Sequence, residues 1–318
     1  VNRDLDPISG RAVQVANSLG LWDHLSKTAR PLAELAEACQ CPPRGLRPLL
    51  YLLASVDLLR QQGDGFLLAP GALRYVKNKW AAAFAAFPEV PEFAQLEQAV
   101  RTGRPVRPPV EGSEDEGEFF ATVVPALFEL HHPDASHLVE RIPAEVSRVL
   151  DLGAGSAVWS LPLAQARAHA RVVAVDRARV LEQVTAEFLR RHQVLEQYEL
   201  WPGDYHQVEL PQQQFDLVYL GHLLHADGWE MSPQLLARSY ACLRPGGLLA
   251  VAEIVASEPR ARHYASNVFD LSMLMLTEHG VVFSRRELSR LREEAGFVNE
   301  RWIKGPGEYP VLLAERPV

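Results

Sequence analysis

Val149-Leu-Asp-Leu-Gly-Ala-Gly-Ser-Ala157 decides the fold of this chain. An aliphatic run ends in Asp151, two glycines follow at 153 and 155, and an amphipathic stretch comes next. That order predicts a strand, a tight turn and the start of a helix. Glycine lets backbone approach a ligand closely, and the exposed N–H groups of a helix start attract its polar atoms. About twenty residues on, Arg171-Val-Val-Ala-Val-Asp176 is a second strand ending in an acid, placed to accept from a ribose diol. The pairing predicts a nucleoside-containing cofactor at the C-terminal edge of a parallel sheet.

The domain around this stretch can be read outward. Strands are predicted at 147–151, 171–175, 197–201, 215–220 and 247–254, with a terminal pair at 297–303 and 310–315. Helices fill the gaps. Trp201-Pro-Gly-Asp204-Tyr205 puts an acid and an aromatic at the same sheet edge, suited to an adenine amino group and its ring. Phe215-Asp-Leu-Val-Tyr-Leu220 is a fourth strand, and Leu243-Arg-Pro-Gly-Gly247 a turn leading into a buried one.

Upstream the pattern changes. Residues 8 to about 76 read as three helices followed by Leu58–Leu68, two short strands around Gly63-Asp-Gly65. This is a winged-helix pattern. Its third helix carries only Arg44 and Arg47 beside Leu49-Leu-Tyr-Leu-Leu53, an apolar body made for burial against protein rather than for DNA. Apolar helices are predicted at 80–87 and 93–100, a linker at 101–118, and a helix from Phe119 to about Arg141. The division expected is 1–118, a helical winged-helix-like dimerisation domain with linker, and 119–318, the cofactor-binding α/β domain.

Bulk properties narrow the function. The 318 residues suit two domains, and a formal charge of -8 repels a phosphate backbone, so no nucleic acid is expected. No apolar run approaches the ~20 residues that span a bilayer, so no membrane partner is expected. Three cysteines, an odd count without framework spacing, argue against a disulfide scaffold, and Cys39-Gln-Cys41 lacks a second pair for zinc. With no signal-peptide core at the start, a cytoplasmic location is expected.

The ordered set resembles the class I S-adenosylmethionine-dependent methyltransferases. With Leu19-Gly-Leu-Trp-Asp-His-Leu25, Leu32-Ala-Glu-Leu-Ala36 and Leu49–Leu53 included, the whole chain is similar to the small-molecule O-methyltransferases of plant phenolic and bacterial natural-product metabolism. The resemblance implies an α/β, Rossmann-like seven-stranded methyltransferase domain behind a helical dimerisation domain. It implies a homodimer that uses S-adenosylmethionine, releases S-adenosylhomocysteine and acts on a small-molecule hydroxyl. Asp151, Gly153, Gly155, Asp176, Arg177, Gly203, Asp204, Tyr205 and Gly221 would hold the cofactor.

In that family a catalytic histidine follows the fourth strand. Here the stretch is His222-Leu-Leu-His225-Ala-Asp-Gly-Trp229, and His225 takes the position of the base, with Glu253 the acid behind it. Phe119, Phe120, Phe128, Trp159, His222, Asp270 and Met273 would line the acceptor site. No metal is expected, although His279 with His225 and an acid would make a two-histidine, one-carboxylate set. Three departures stand out. Ala157 replaces the third glycine of the turn, a position where a helix start tolerates alanine. The second flanking acid is absent, since Val282-Phe-Ser284 occupies its place. Ala226 and Asp227 replace the Asp and Trp that follow the base. Carbon methylation and a non-methylating relative therefore stay open, as does a winged-helix ligand-sensing regulator.

Overall fold

Seven strands, β4 (Arg148–Leu152), β5 (Arg171–Asp176), β6 (Tyr198–Pro202), β7 (Phe215–Gly221), β8 (Leu243–Ala252), β9 (Val298–Ile303) and β10 (Val311–Glu315), form one mixed sheet. Their order across it is β6-β5-β4-β7-β8-β10-β9. The structure, a computed structural model, describes residues 6–70, 72, 93–106, 116–256, 258, 260, 263–307 and 309–318, without the side chains of 116–123 and 126. β4 pairs in parallel with β5 and β7, while β10 runs antiparallel to β8 and β9. Near-continuous burial of β4, β5 and β7 accounts for their unbroken Val and Leu runs, as expected of parallel strands covered on both faces. Strand order reverses at β4, with β5 on one side and β7 on the other. The C-terminal ends of these strands therefore frame the crevice where open α/β sheets bind ligands. Every predicted strand is present, and β8 begins at Leu243, earlier than the reading of 247.

The chain divides into two units, Val1–Pro109 with Ala256–Ser284, and Val110–Val255 with Arg285–Val318. This differs from the contiguous division at 118. The returning segment holds the helix Tyr264–Leu276, which packs on the helix Pro43–Ser55 of the first unit. Asn267 Nδ2 donates to the Tyr51 carbonyl at 3.2 Å, and Leu271, Leu274 and Met275 join the first unit's apolar core.

In that unit Asp6 caps the helix Pro7–Ser18, accepting from the N–H groups of Ile8 and Ser9, with Pro7 at a position that has no bond to lose. Leu46, Leu49, Leu50 and Leu53 make one buried face of Pro43–Ser55. The wing is β2 (Leu59–Gln62) and β3 (Gly65–Leu68) around Gly63-Asp64, with β1 (Arg30–Pro31) on the other side of β3. Both arginines of the third helix are engaged inside the unit. Arg44 donates to the carbonyls of Gly103 and Thr277, and Arg47 to that of Val282. This helix offers DNA little, which removes the main support of the regulator reading. The expected helix at 80–87 and residues 107–115 of the linker lie outside the described residues. The next described helix runs Glu116–Leu138.

Candidate active site

The glycine turn leaves β4 through alternating left-handed residues: Gly153 at φ +61°, Gly155 at +54° and Ala157 at +56°. Alanine at this third position is more than a helix start, because a Cβ in the left-handed region costs about 1–2 kcal/mol. Asp176 braces the turn. One carboxylate oxygen accepts from Gly155 N–H at 2.8 Å and the other from Arg177 N–H at 2.7 Å. Side chains are excluded where the turn must stay open, since a Cβ on Gly155 would press on Val124 and one on Gly221 would collide with the Trp159 ring.

Asp151 serves the turn from inside. It is buried, and it accepts from Ser160 Oγ at 2.5 Å. Burial away from water pushes its carboxyl up to about 7. At the end of β6, Gly203 N–H donates to the Asp176 carbonyl. Asp204 accepts from His206 N–H and from Gln207 Nε2, and Arg177 stands 3.9 Å from it. Tyr205 Oη donates to Asp227 Oδ1 at 3.1 Å, and His206 Nε2 lies 2.9 Å from the same oxygen. That bond to Asp227 raises the His206 imidazole above its ordinary range. The buried Asp227, two residues past His225, thus ties the predicted adenine platform to the helix Leu224–Cys242.

His222 begins the turn after β7 at φ +60°, held by its own N–H to the Ala252 carbonyl. Glu253 then closes the site. Its Oε1 accepts from Leu224 N–H at 2.7 Å and His225 N–H at 3.3 Å, and its Oε2 lies 2.7 Å from His225 Nδ1. A carboxylate at a helix N-terminus is stabilised there by the N–H groups and the helix dipole. With Nδ1–H donated to Glu253, the lone pair of a neutral His225 sits on Nε2, the nitrogen a base needs.

Trp159, His222 and Phe128 are all in this unit. Trp159 and Phe128 are buried, and His222 is half-buried. Two residues with no motif around them join the site. The His131 ring stacks on His222 at 4.1 Å, and Tyr309 meets both imidazoles edge-on at 4.6 and 5.2 Å. Asp134 fixes the Tyr309 loop by accepting from Gly307 and Tyr309 N–H groups. No local sequence signal marks His131 or Tyr309. Asp227 had one, as an acid two residues behind His225.

Other expectations are placed differently. Asp270 belongs to the first unit, where its carboxylate is an internal counter-ion. It accepts from Val282 N–H, and it stands 3.5 Å from Arg260 and 4.0 Å from Arg47. Its Oδ2 has no hydrogen-bond partner among the described residues. Met273 is buried in the same unit. Phe119 and Phe120 stand on the helix Glu116–Leu138, but their side chains lie outside the described residues. Among the described residues, the histidine and carboxylate cluster with metal-ligand spacing is His222, His225 and Glu253, whose ligand atoms lie within 4.8 Å of one another. His279 is not part of it.

A mixed seven-stranded sheet with a glycine turn, two acids at the C-terminal edge of its parallel strands and a carboxylate-backed histidine is the pattern of a class I methyltransferase. The comparisons agree with it. Residues 128–301 match the Methyltransferase domain family and residues 8–85 the O-methyltransferase dimerisation domain. The chain belongs to the S-adenosylmethionine-dependent O-methyltransferases. It is 26% identical to the tetracenomycin polyketide synthesis 8-O-methyltransferase TcmO of Streptomyces glaucescens, over 96% of this chain and 93% of that one. It is also 26% identical to the mitomycin biosynthesis 6-O-methyltransferase of Streptomyces lavendulae, over 96% and 90%. The fold is similar to that of an O-methyltransferase family 2 protein from Planctomyces limnophilus in complex with apigenin. There the TM-score is 0.83 at 18% identity, covering 97% of this chain and 93% of that one.

S-adenosylmethionine is the cofactor, and the residues present fit it. The left-handed glycine turn keeps side chains out of the cradle, and Asp176 and Asp204 stand at the ends of β5 and β6.

Proposed function

We propose that the protein methylates a hydroxyl of a small aromatic or polyketide-like metabolite, with His225 as general base and Glu253 as the group that orients it. The observation that carries this reading is the Glu253 bridge, 2.7 Å to His225 Nδ1 on one side and 2.7 Å to Leu224 N–H on the other. When bound, the cofactor supplies an activated sulfonium methyl group, so the chain's own task is small. Gly153, Gly155, Asp176, Arg177, Gly203, Asp204, Tyr205 and Gly221 hold and orient the cofactor, and Asp151 stiffens the turn from beneath. His225 Nε2 takes the acceptor proton as the oxygen becomes nucleophilic, and Glu253 stabilises the imidazolium that results. Buried rings at Phe128 and Trp159 keep water away. The dimerisation domain supports a homodimer, and the names of the relatives support a natural-product acceptor.

The test is a screen of phenolic and polyketide acceptors with wild type and His225→Gln, the product's methyl position being read by NMR. Loss of turnover by about 100-fold or more in the variant, with S-adenosylhomocysteine affinity kept, is expected for a lost general base. Equal turnover in the two proteins, or a methyl found on carbon, would overturn the reading.

A further inference from the structure

Three buried nitrogens close to His225 have no hydrogen-bond partner among the described residues: His131 Nδ1, Trp159 Nε1 and His222 Nε2. Native proteins seldom leave buried polar groups unpaired without a use for them. His131 is 5% exposed and Trp159 4%, so solvent does not satisfy them. The three rings form one cluster. His131 stacks on His222 at 4.1 Å, the Trp159 ring lies 6.0 Å from His131 and 5.8 Å from His222, and His222 lies 6.1 Å from His225.

A neutral imidazole offers one donor and one acceptor, and indole offers a donor only. The complement of such a set is an oxygen that accepts from a ring N–H and, as a hydroxyl, also donates to a ring nitrogen. We propose that His131, Trp159 and His222 read a second oxygen on the acceptor, adjacent to the hydroxyl that His225 deprotonates. The proposal rests on His225 being the base. Adjacency follows from spacing. With each hydrogen bond near 2.9 Å, an ortho or peri oxygen pair reaches imidazoles this close together, and oxygens at opposite ends of a fused ring system do not. The preferred acceptor class is therefore a planar vicinal diol or hydroxy-carbonyl.

The experiment uses two isomers of equal size, 2,3- and 2,6-dihydroxynaphthalene, titrated into the protein loaded with S-adenosylhomocysteine. The wild type is expected to bind the 2,3-isomer at least about tenfold more tightly, the order of one or two buried hydrogen bonds. His131→Phe and Trp159→Phe keep a ring and remove the polar atom. His222 is left alone because its φ of +60° strains most replacements. In both variants the ratio should fall below about threefold through the 2,3-isomer alone, with S-adenosylhomocysteine affinity and melting temperature retained.

No preference in the wild type, or an unchanged ratio in the variants, overturns the proposal. So does a loss of S-adenosylhomocysteine affinity, which would assign these nitrogens to the cofactor. If a variant fails to fold, the wild-type ratio decides by itself. His225→Gln separates the two readings. A kept binding ratio with lost turnover supports both, whereas normal turnover with a kept ratio removes only the base.

Discussion

Glu253→Gln tests the orientation of the base with almost no change in shape. In the wild type Oε1 accepts from two backbone N–H groups, and Oε2 faces His225 Nδ1. A glutamine has one oxygen and one NH2. The two N–H groups of Leu224 and His225 demand the oxygen, so the NH2 is turned toward Nδ1. His225 must then present its Nδ1 lone pair and carry its proton on Nε2, the tautomer that cannot take a proton from the acceptor. Stability changes little, because the backbone donors stay paired. Glu253→Ala, by contrast, leaves the buried Leu224 N–H without its acceptor and costs about 1–3 kcal/mol. Catalysis should fall in Glu253→Gln by the worth of a general base, about 100-fold to 10,000-fold in kcat, with KM for the cofactor unchanged. The assay is steady-state turnover over a series of phenols of graded acidity. The loss should be greatest for the least acidic phenols, since an already ionised acceptor needs no base. A kcat within threefold of wild type across the series, in a variant that melts as the wild type does, would refute the orientation argument.

Other perturbations are sharper at other points. Asp151→Asn should raise stability relative to wild type increasingly between pH 4 and pH 7. The folded carboxyl, pushed up to about 7, binds its proton more tightly than the unfolded one, so its contribution is present at low pH and lost as pH rises through 7. Melting temperatures of both proteins across that range check the sign, and a constant difference would contradict it. Asp227→Asn should weaken S-adenosylhomocysteine binding roughly tenfold by loosening Tyr205 and His206, the scale of a charged hydrogen bond. The raised His206 imidazole makes its contribution present below about pH 6.5 and lost as pH rises through the folded value, so His206→Gln should flatten that slope in pH-dependent melting. Zinc at micromolar concentration should inhibit turnover reversibly by taking His222, His225 and Glu253 together. Insensitivity to zinc, judged against a chelator control, would mean that these atoms do not converge on an ion.

The sheet was legible because its evidence is local. A strand, a left-handed glycine turn and an acid twenty residues later are set by short-range sterics, and burial on both faces writes itself as Val and Leu runs. The placing of His225 and Glu253 needed more, since 28 residues separate them and only the strand order of the resembling family brings them together. His131 and Tyr309 were not legible at all. One stands on a long helix and the other in a C-terminal loop, and what joins them is Asp134, a side chain whose partners lie more than 170 residues away. The surroundings of Asp270 were hidden in another way, since a lone acid on a helix gives no sign in the sequence of Arg260 and Arg47 beside it.

The same contrast separates two uses of burial in this protein. Asp270 is buried beside Arg260 and Arg47 with Oδ1 bonded to Val282 N–H, which ties the returning segment into one unit. Asp227 is also buried, but its partners are Tyr205 and His206, at the proposed adenine platform, and it stands two positions from His225, the proposed base. Any shift of this carboxylate must move both the platform and the first turn of the helix that carries His225. If Tyr205 holds the cofactor and His225 is the base, as proposed, the two are joined through one side chain. A double-mutant cycle pairing Tyr205→Phe with Glu253→Gln should show them coupled in kcat, and additive losses would mean that the helix start holds His225 without help from the platform.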